Sequence, residues 1–450
     1  TGSAGLVVPL GIAYSDTTSD FFMHALESRH IASIISFDEI KRWFSGAKDN
    51  QSFCLITFRE NVEQTKFINR ISSIEEMSHP EMVIYLKPAE ILRMNPNNGT
   101  APAFRTREDA RITTKIHMVA PALFNERSHE PQPWSILFRQ GLFNMTTDSA
   151  LFETYHELSG NLLRLEGNRF VSHGKEYLPL FEAKMIHQFE PRHGGYPEGD
   201  VSDTRALPRP SLEQKRSPVW EPLPRYWVHA EVVHEKLRGV NWRQLWLLGW
   251  RDITNVTNER TSIASIFPVV AVGGINLAFP EEGVPATVGL LANLNSLVLD
   301  FVVRQKMGGT HLTAVVLRQL PILTPDFYTE PRIDFITPKV LELTYTSHSL
   351  APFARDLGHD GPLFAWDEDR RADLRADLDA FYARAYGLTR DELRYILDPA
   401  DVKGPDYPSE TFRVLKEKEI RTHGEYRTRR LVLAAWDRME ANGEFTAMGM

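Results

Sequence analysis

Cysteine is nearly absent from this chain of 450 residues. The single one, Cys54, excludes an internal disulfide framework and points to a reducing, cytoplasmic setting. No apolar run approaches the roughly 20 residues that a membrane-spanning helix needs, so no membrane partner is expected. There is no basic-then-apolar leader, and the chain opens on Thr1 rather than Met, so it reads as a piece of a longer protein. Excess positive charge is missing as well. A net charge of −8 does not advertise a nucleic-acid binder, although a local basic face would suffice. Among catalytic signatures, a Gly-rich phosphate loop after a strand, HExxH, paired CxxC and GxSxG are all absent.

What is present is a soluble-type composition, 42% hydrophobic and 24% charged, long enough for two or three domains. The first segment has parallel-sheet character. "GLVVPL" (5–10), "IASIISF" (31–37) and "SFCLITF" (52–58) are short buried-type runs, with a helix expected from about Thr18 between the first two. Three strands cannot close a doubly wound sheet, which suggests the later part of such a domain. From about Tyr85 to Asp334 the pattern is less regular, and the Pro-rich stretch near 207–225 reads as an exposed linker or hinge. Residues 287–306 are apolar on most faces and predict one buried helix, stopped by Gly308 and Gly309. Beyond about Phe335 the chain is helical and charged. Leu374, Leu378, Phe381, Tyr382 and Ala385 share a face, Gly387 ends that helix, and Thr389 with Glu392 forms a capping box for the next.

Candidate chemistry is sparse. Glu182 and Lys184 have the spacing of a metal-dependent nuclease pair but lack an upstream Asp on a strand. Phe44, in an aromatic and Gly-containing turn before a strand, falls at the carboxyl edge of the sheet, where it either meets a ligand or packs under its own loop. "RDITNVTNERTSI" (251–263) interleaves Arg251, Asn255, Thr257, Asn258, Arg260 and Thr261, side chains suited to phosphates and base edges, or simply to a solvated turn. "KMGGTHL" offers Lys306, Gly309 and His311 for a phosphate, or a plain glycine stop. "KMIHQFEPRHGGY" offers Lys184, His187, Arg192 and His193 for duplex positioning or as satisfied structural groups, with no compelling metal-ligand set. "KEKEIRTHGEYRTRR" in the tail reads as a solvated helix face.

Several stretches appear in order and together carry a family likeness: "AGLVVPLGIAYSDTTSDFF", "WFSGAKDNQSFCLITF", "MNPNNGTAPAFRTREDARIT", "YLPLFEAKMIHQFEPRHGGY", "RDITNVTNERTSIASIFP", "LLANLNSLVLDFVVRQKMGGTHLTAVVLRQLPIL" and "ETFRVLKEKEIRTHGEYRTRRLVLAAWDR". The chain resembles the later part of large Eco57I-like adenine-specific DNA methyltransferases of restriction-modification and phage-defence systems. The resemblance implies residues 1–84 as the last part of a doubly wound, Rossmann-like catalytic domain, 85–334 as an α+β target-recognition region and 335–450 as a helical tail. It implies methyl transfer from S-adenosylmethionine to the amine of a flipped adenine, with the cofactor motifs and the Asn-Pro-Pro-aromatic tetrad upstream of residue 1. "NPNNGT" (95–100) is no substitute for that tetrad. By the same resemblance Phe44 contacts the flipped base and Pro9 is pocket scaffold. The implied partners are double-stranded DNA and other restriction or defence subunits. A non-catalytic DNA-specificity module serving a partner enzyme is the alternative, as is a structural subunit without DNA contact.

Overall fold

In the computed structural model of the protein the apolar runs do become strands, but their directions follow the connections rather than the composition. The structure describes residues 2–38, 43, 52–172, 174–197, 207–307 and 309–445. The first sheet holds β1 (Ser3–Pro9), β2 (Ile31–Phe37), β3 (Phe53–Arg59), β4 (Thr65–Ile71) and β5 (Ile84–Leu86), in the order β1-β3-β2-β4-β5. β3 lies between β1 and β2 and runs antiparallel to both, with Val7 opposite Leu55 and Ile34 opposite Ile56. Only β2 and β4 pair in parallel, and β5 returns antiparallel to β4. The expected parallel sheet is therefore corrected to a mixed one of five strands. The one parallel pair, β2 and β4, is joined by a connection that contains β3 itself, and β3 returns antiparallel beside β2.

β1 also corrects an expectation. It is an edge strand rather than a buried one, with Leu6 52% and Val7 59% exposed and Val8 alone among its valines packed against the core. The helix after it, Ser19–Glu27, buries Phe22, Ala25 and Leu26 as its spacing predicts. Thr18 does not cap it by side chain; its hydroxyl donates to the carbonyl of Gly11 instead, at 2.6 Å.

The middle of the chain builds two further sheets. Lys175–Phe181 is flanked by antiparallel Trp227–His229 and Arg169–Ser172, with Ala271–Val272 added in parallel. Trp246–Arg251 is flanked by antiparallel Ala264–Pro268 and Ile275–Pro280, and the latter pairs on with Ile136–Arg139. Residues 252–263 are thus the connection of a hairpin.

The apolar segment 287–306 is buried as expected but is two helices, Val284–Leu294 and Leu297–Lys306, bent by 63°. Ser296 at the break accepts from the N–H of Leu299 and so opens the second helix. These helices are the centre of the largest core cluster, against which Glu330–Thr344 and Glu368–Ala385 also pack. In the tail, the Leu374–Ala385 face is buried, Gly387 turns at φ +66°, and Thr389 and Glu392 form the capping box.

The Pro-rich connector is the third correction. It contains a short helix, Leu212–Arg216, and is tied down by buried Arg192, which donates to the carbonyls of Lys215, Ser217 and Trp220 and to Thr346. A hinge is incompatible with a backbone held at three carbonyls by one immobile guanidinium.

Candidate functional site

Several of the predicted residues line a groove built of three adjoining cavities. The first, of about 610 Å³, opens where β1 and β2 end. Leu10, Gly11 and Tyr14 follow β1; Ser36 and Asp38 close β2; Asn95, Asn98 and Thr100 come from the turn after Pro88–Met94. Asn255, Lys306, Gly309 and His311 close it from the middle region. Four residues selected in two separate sequence stretches therefore face one cleft with the carboxyl end of β2.

Its polar groups are organised by short-range bonds. Lys306, the last residue of Leu297–Lys306, donates its ammonium to the carbonyl of Met94 and to Asn95 Oδ1, the latter at 2.7 Å. Burial pushes this amine down to about pKa 7, since neither acceptor is anionic. Asn95 is committed in turn, its Nδ2 donating to the Thr100 carbonyl at 2.8 Å, and Gly99 closes that turn at φ +59°. The side-chain oxygen of Gln319, also on the cleft, is buried without a hydrogen-bond partner among the described residues. His311 is 54% exposed and its Nδ1 lies 2.8 Å from Asp252 Oδ2. Asn255 accepts from the N–H and the hydroxyl of Thr257, an Asx turn that shapes the rim.

A second cavity of about 390 Å³ shares Asp38, Arg70, Ala103 and Val256 with the first. A third, of about 720 Å³, shares Thr257 and Val414 with the second, and is lined by His187, Arg251, Asn258 and Arg260 together with the tail. "KEKEIRTHGEYRTRR", read as a solvated face, contributes Lys418, Glu419, Thr422, His423, Arg427 and Thr428 to this wall. Arg251 donates to the carbonyl of Ile186, and burial followed by repulsion from Arg209 lowers its guanidinium to about pKa 10. The rings of His187 and His193 lie 4.4 Å apart, and burial holds both pKa values down, His187 well below the usual range.

Three expected DNA contacts fall in the interior instead. Arg192 is held by the connector and Thr346, as described. Arg260 is 9% exposed, bonds the carbonyl of Asn295 and faces Asp300 at 3.5 Å and Asp379 at 3.7 Å. Thr261 is fully buried, its N–H on Asp300 and its hydroxyl on the carbonyl of Asn255. Asn258 and Lys184 are exposed. Pro9 is the exposed last residue of β1, beside the cleft-lining Leu10. Phe44 lies outside the described residues.

Asp300 and Arg304 escaped the sequence reading. Arg304 bonds Asp300 at 2.9 Å and caps the carbonyls of Val256, Asn258, Glu259 and Thr411, which fixes the 255–261 loop from beneath. Their only sequence signal is an i, i+4 charge pair in an otherwise apolar helix. Among the described residues no group of three or more His, Cys, Asp or Glu is placed to hold a metal ion, and no single helix is long and apolar enough to cross a membrane.

The chain is a mixed α/β protein with several sheets and a helical C-terminal region. Among solved structures it is similar to the Type IIL restriction-modification enzyme MmeI in complex with DNA, with a TM-score of 0.38 and 12% identity over 98% of this chain and 50% of that one. It is also similar to the type IIG restriction endonuclease BpuSI, with a TM-score of 0.28 and 10% identity over 84% and 46% respectively. The chain thus spans about half the length of these neighbours. No family model and no curated protein matches it.

Proposed function

We propose that this chain is the late catalytic and target-recognition part of a site-specific, adenine-specific DNA methyltransferase of a restriction-modification or phage-defence system. One observation carries the reading. Asn255, Lys306, Gly309 and His311, chosen from the sequence as DNA-facing, line the same 610 Å³ cleft as the ends of β1 and β2, to which the family likeness assigns the catalytic edge.

In this reading the duplex lies along the three-cavity groove and the target adenine is turned out of the stack into the first cavity. Phe44 and Pro9 border the flipped base, one by ring contact and the other as scaffold. Asn255, Asn258, Arg251, His187, Lys184, Gly309 and His311 serve the surrounding DNA, while Arg260 and Thr261 act by holding the recognition loop in shape and Arg192 by holding the connector. S-adenosylmethionine supplies the methyl group when bound. The family likeness, and not the structure, assigns the residues that would hold it to a part outside this chain. The residues of this chain orient the base, exclude water around it and fix the register of the duplex.

The test is transfer of labelled methyl groups to duplex DNA by this chain and by a version extended upstream to the native start codon. Transfer to adenine by the extended protein alone is expected. Intact duplex binding with transfer by neither form would replace the reading with a specificity module that serves a partner enzyme.

A further inference from the structure

The third cavity, between the recognition sheets and the tail, holds an imbalance of charge that the fold does not resolve. Each carboxylate on its wall has a partner within the chain. Glu190 is bound by His193 at 3.0 Å and Lys215 at 3.1 Å, Glu259 by Lys418, and Glu419 by Thr428. Asp379 accepts the N–H of Leu297 and faces Arg260, and Glu368 accepts from Trp366. Two guanidiniums on the same wall are different. Arg251 has one neutral carbonyl, and Arg375 has no hydrogen bond and no carboxylate within 4.0 Å among the described residues. Arg209, exposed at the rim, donates only to the carbonyl of His193 among the described residues, at 3.3 Å.

Desolvated guanidiniums with no acid in contact are costly to keep. Arg375 is desolvated and further repelled by Arg260, and Arg251 is repelled by Arg209, so both lose proton affinity. Glu190 attracts both from a distance, and Glu368 and Asp379 also attract Arg375, but none of the three is in ion-pair contact with either guanidinium among the described residues. Burial lowers the pKa of both neighbouring imidazoles, which disfavours a competing cation there. An oxyanion with several acceptor atoms would complete this arrangement, because planar guanidinium forks match phosphate oxygens two at a time.

We propose that this cavity is a phosphate-binding site in which Arg251 and Arg375, with Arg209 at the mouth, hold a phosphoryl group against the wall formed by the helical tail. The group is supplied by the duplex backbone or by a free nucleotide, and the recognition of phosphate oxygens is common to both.

The probe is inorganic pyrophosphate, titrated into the full chain by calorimetry and followed in parallel by thermal melting. Binding is expected in the wild type, weakened by about tenfold in Arg375→Gln, the scale of one charge-assisted hydrogen bond. Arg209→Gln, whose side chain is exposed and whose fold is therefore safe, should weaken it by several-fold. No binding at millimolar pyrophosphate, or equal binding by all three proteins, overturns the site. Displacement of pyrophosphate by a short duplex, with a salt slope of duplex binding about 0.9 shallower in Arg375→Gln, assigns the phosphate to DNA. Displacement by ATP but not by duplex assigns it to a nucleotide, and displacement by neither leaves a site for the inorganic ion. Pyrophosphate binding that persists in an extended protein without methyl transfer retires the methyltransferase reading and keeps the site.

Discussion

Two sets of arginines have opposite fates in this molecule. Around Asp300, Arg260 and Arg304 are buried beside acids and carbonyls; Arg304 holds the carbonyls of Val256, Asn258 and Glu259 in the 255–261 loop, and Arg260 holds that of Asn295. Along the third cavity, Arg251 and Arg375 are desolvated with no acid in contact. The difference is one of charge compensation rather than of residue type or local sequence. A buried cation with an acid at 2.9 Å is part of the architecture. A cation that lines an open cavity with a carbonyl or nothing at all is available to a ligand.

That contrast breaks first at Asp300. Asp300→Ala leaves buried Arg304 without a carboxylate, leaves Arg260 with Asp379 alone and frees the N–H of Thr261, so a loss of about 3–5 kcal/mol is expected in chemical denaturation. A loss below about 1 kcal/mol would place Arg260 and Arg304 among the cavity cations instead. The next largest effect belongs to Arg192→Met. Methionine keeps much of the apolar stem but strands the carbonyls of Lys215, Ser217, Trp220 and Thr346, at a cost of roughly 2–3 kcal/mol. Because the connector is released, limited proteolysis within 207–225 should accelerate in the variant, and unchanged cleavage would mean that other contacts hold it.

The interior half of the contrast was hidden in the sequence for a physical reason. Arg260, Asp300 and Asp379 are brought together across 40 and 79 residues of intervening chain, and no periodicity encodes such pairings. The phrase "RDITNVTNERTSI" therefore reads as one polar surface, although its Arg251 faces the cavity without an acid in contact, its Arg260 borders the same cavity but is turned onto buried acids, and its Thr261 is in the core. Local signals fared better. The capping box at Thr389 and Glu392, the buried face of Leu374–Ala385 and the stop at Gly387 depend on neighbours within a few residues and were legible. Strand direction was not, since Val- and Ile-rich runs look alike in parallel, antiparallel and edge positions, as β1 demonstrates. Of the cleft, Asn255, Lys306, Gly309 and His311 were visible singly, and their convergence with Ser36 and Asp38 was not.

Lys306 gives the mildest test, because it belongs with the cavity cations yet sits on the interior helix. Its amine has two neutral acceptors, and burial lowers its pKa from 10.5 to about 7. The folded state thus binds one proton fewer than the unfolded chain between those values, and stability should rise with pH across that interval. The slope from this group is at most about 1.4 kcal/mol per pH unit. Below pH 7 both states are protonated, so the slope disappears and the full cost of the buried charge remains. Lys306→Met removes the group and should flatten the rise, while stabilising the protein most at the acid end of the window. If DNA phosphate enters the first cavity, it restores the ammonium, so duplex binding near pH 8 should take up a proton in the wild type and none in the variant. Identical pH–stability curves for the two proteins would show that Lys306 is solvated, and would leave Arg251 and Arg375 as the cations on which the contrast rests.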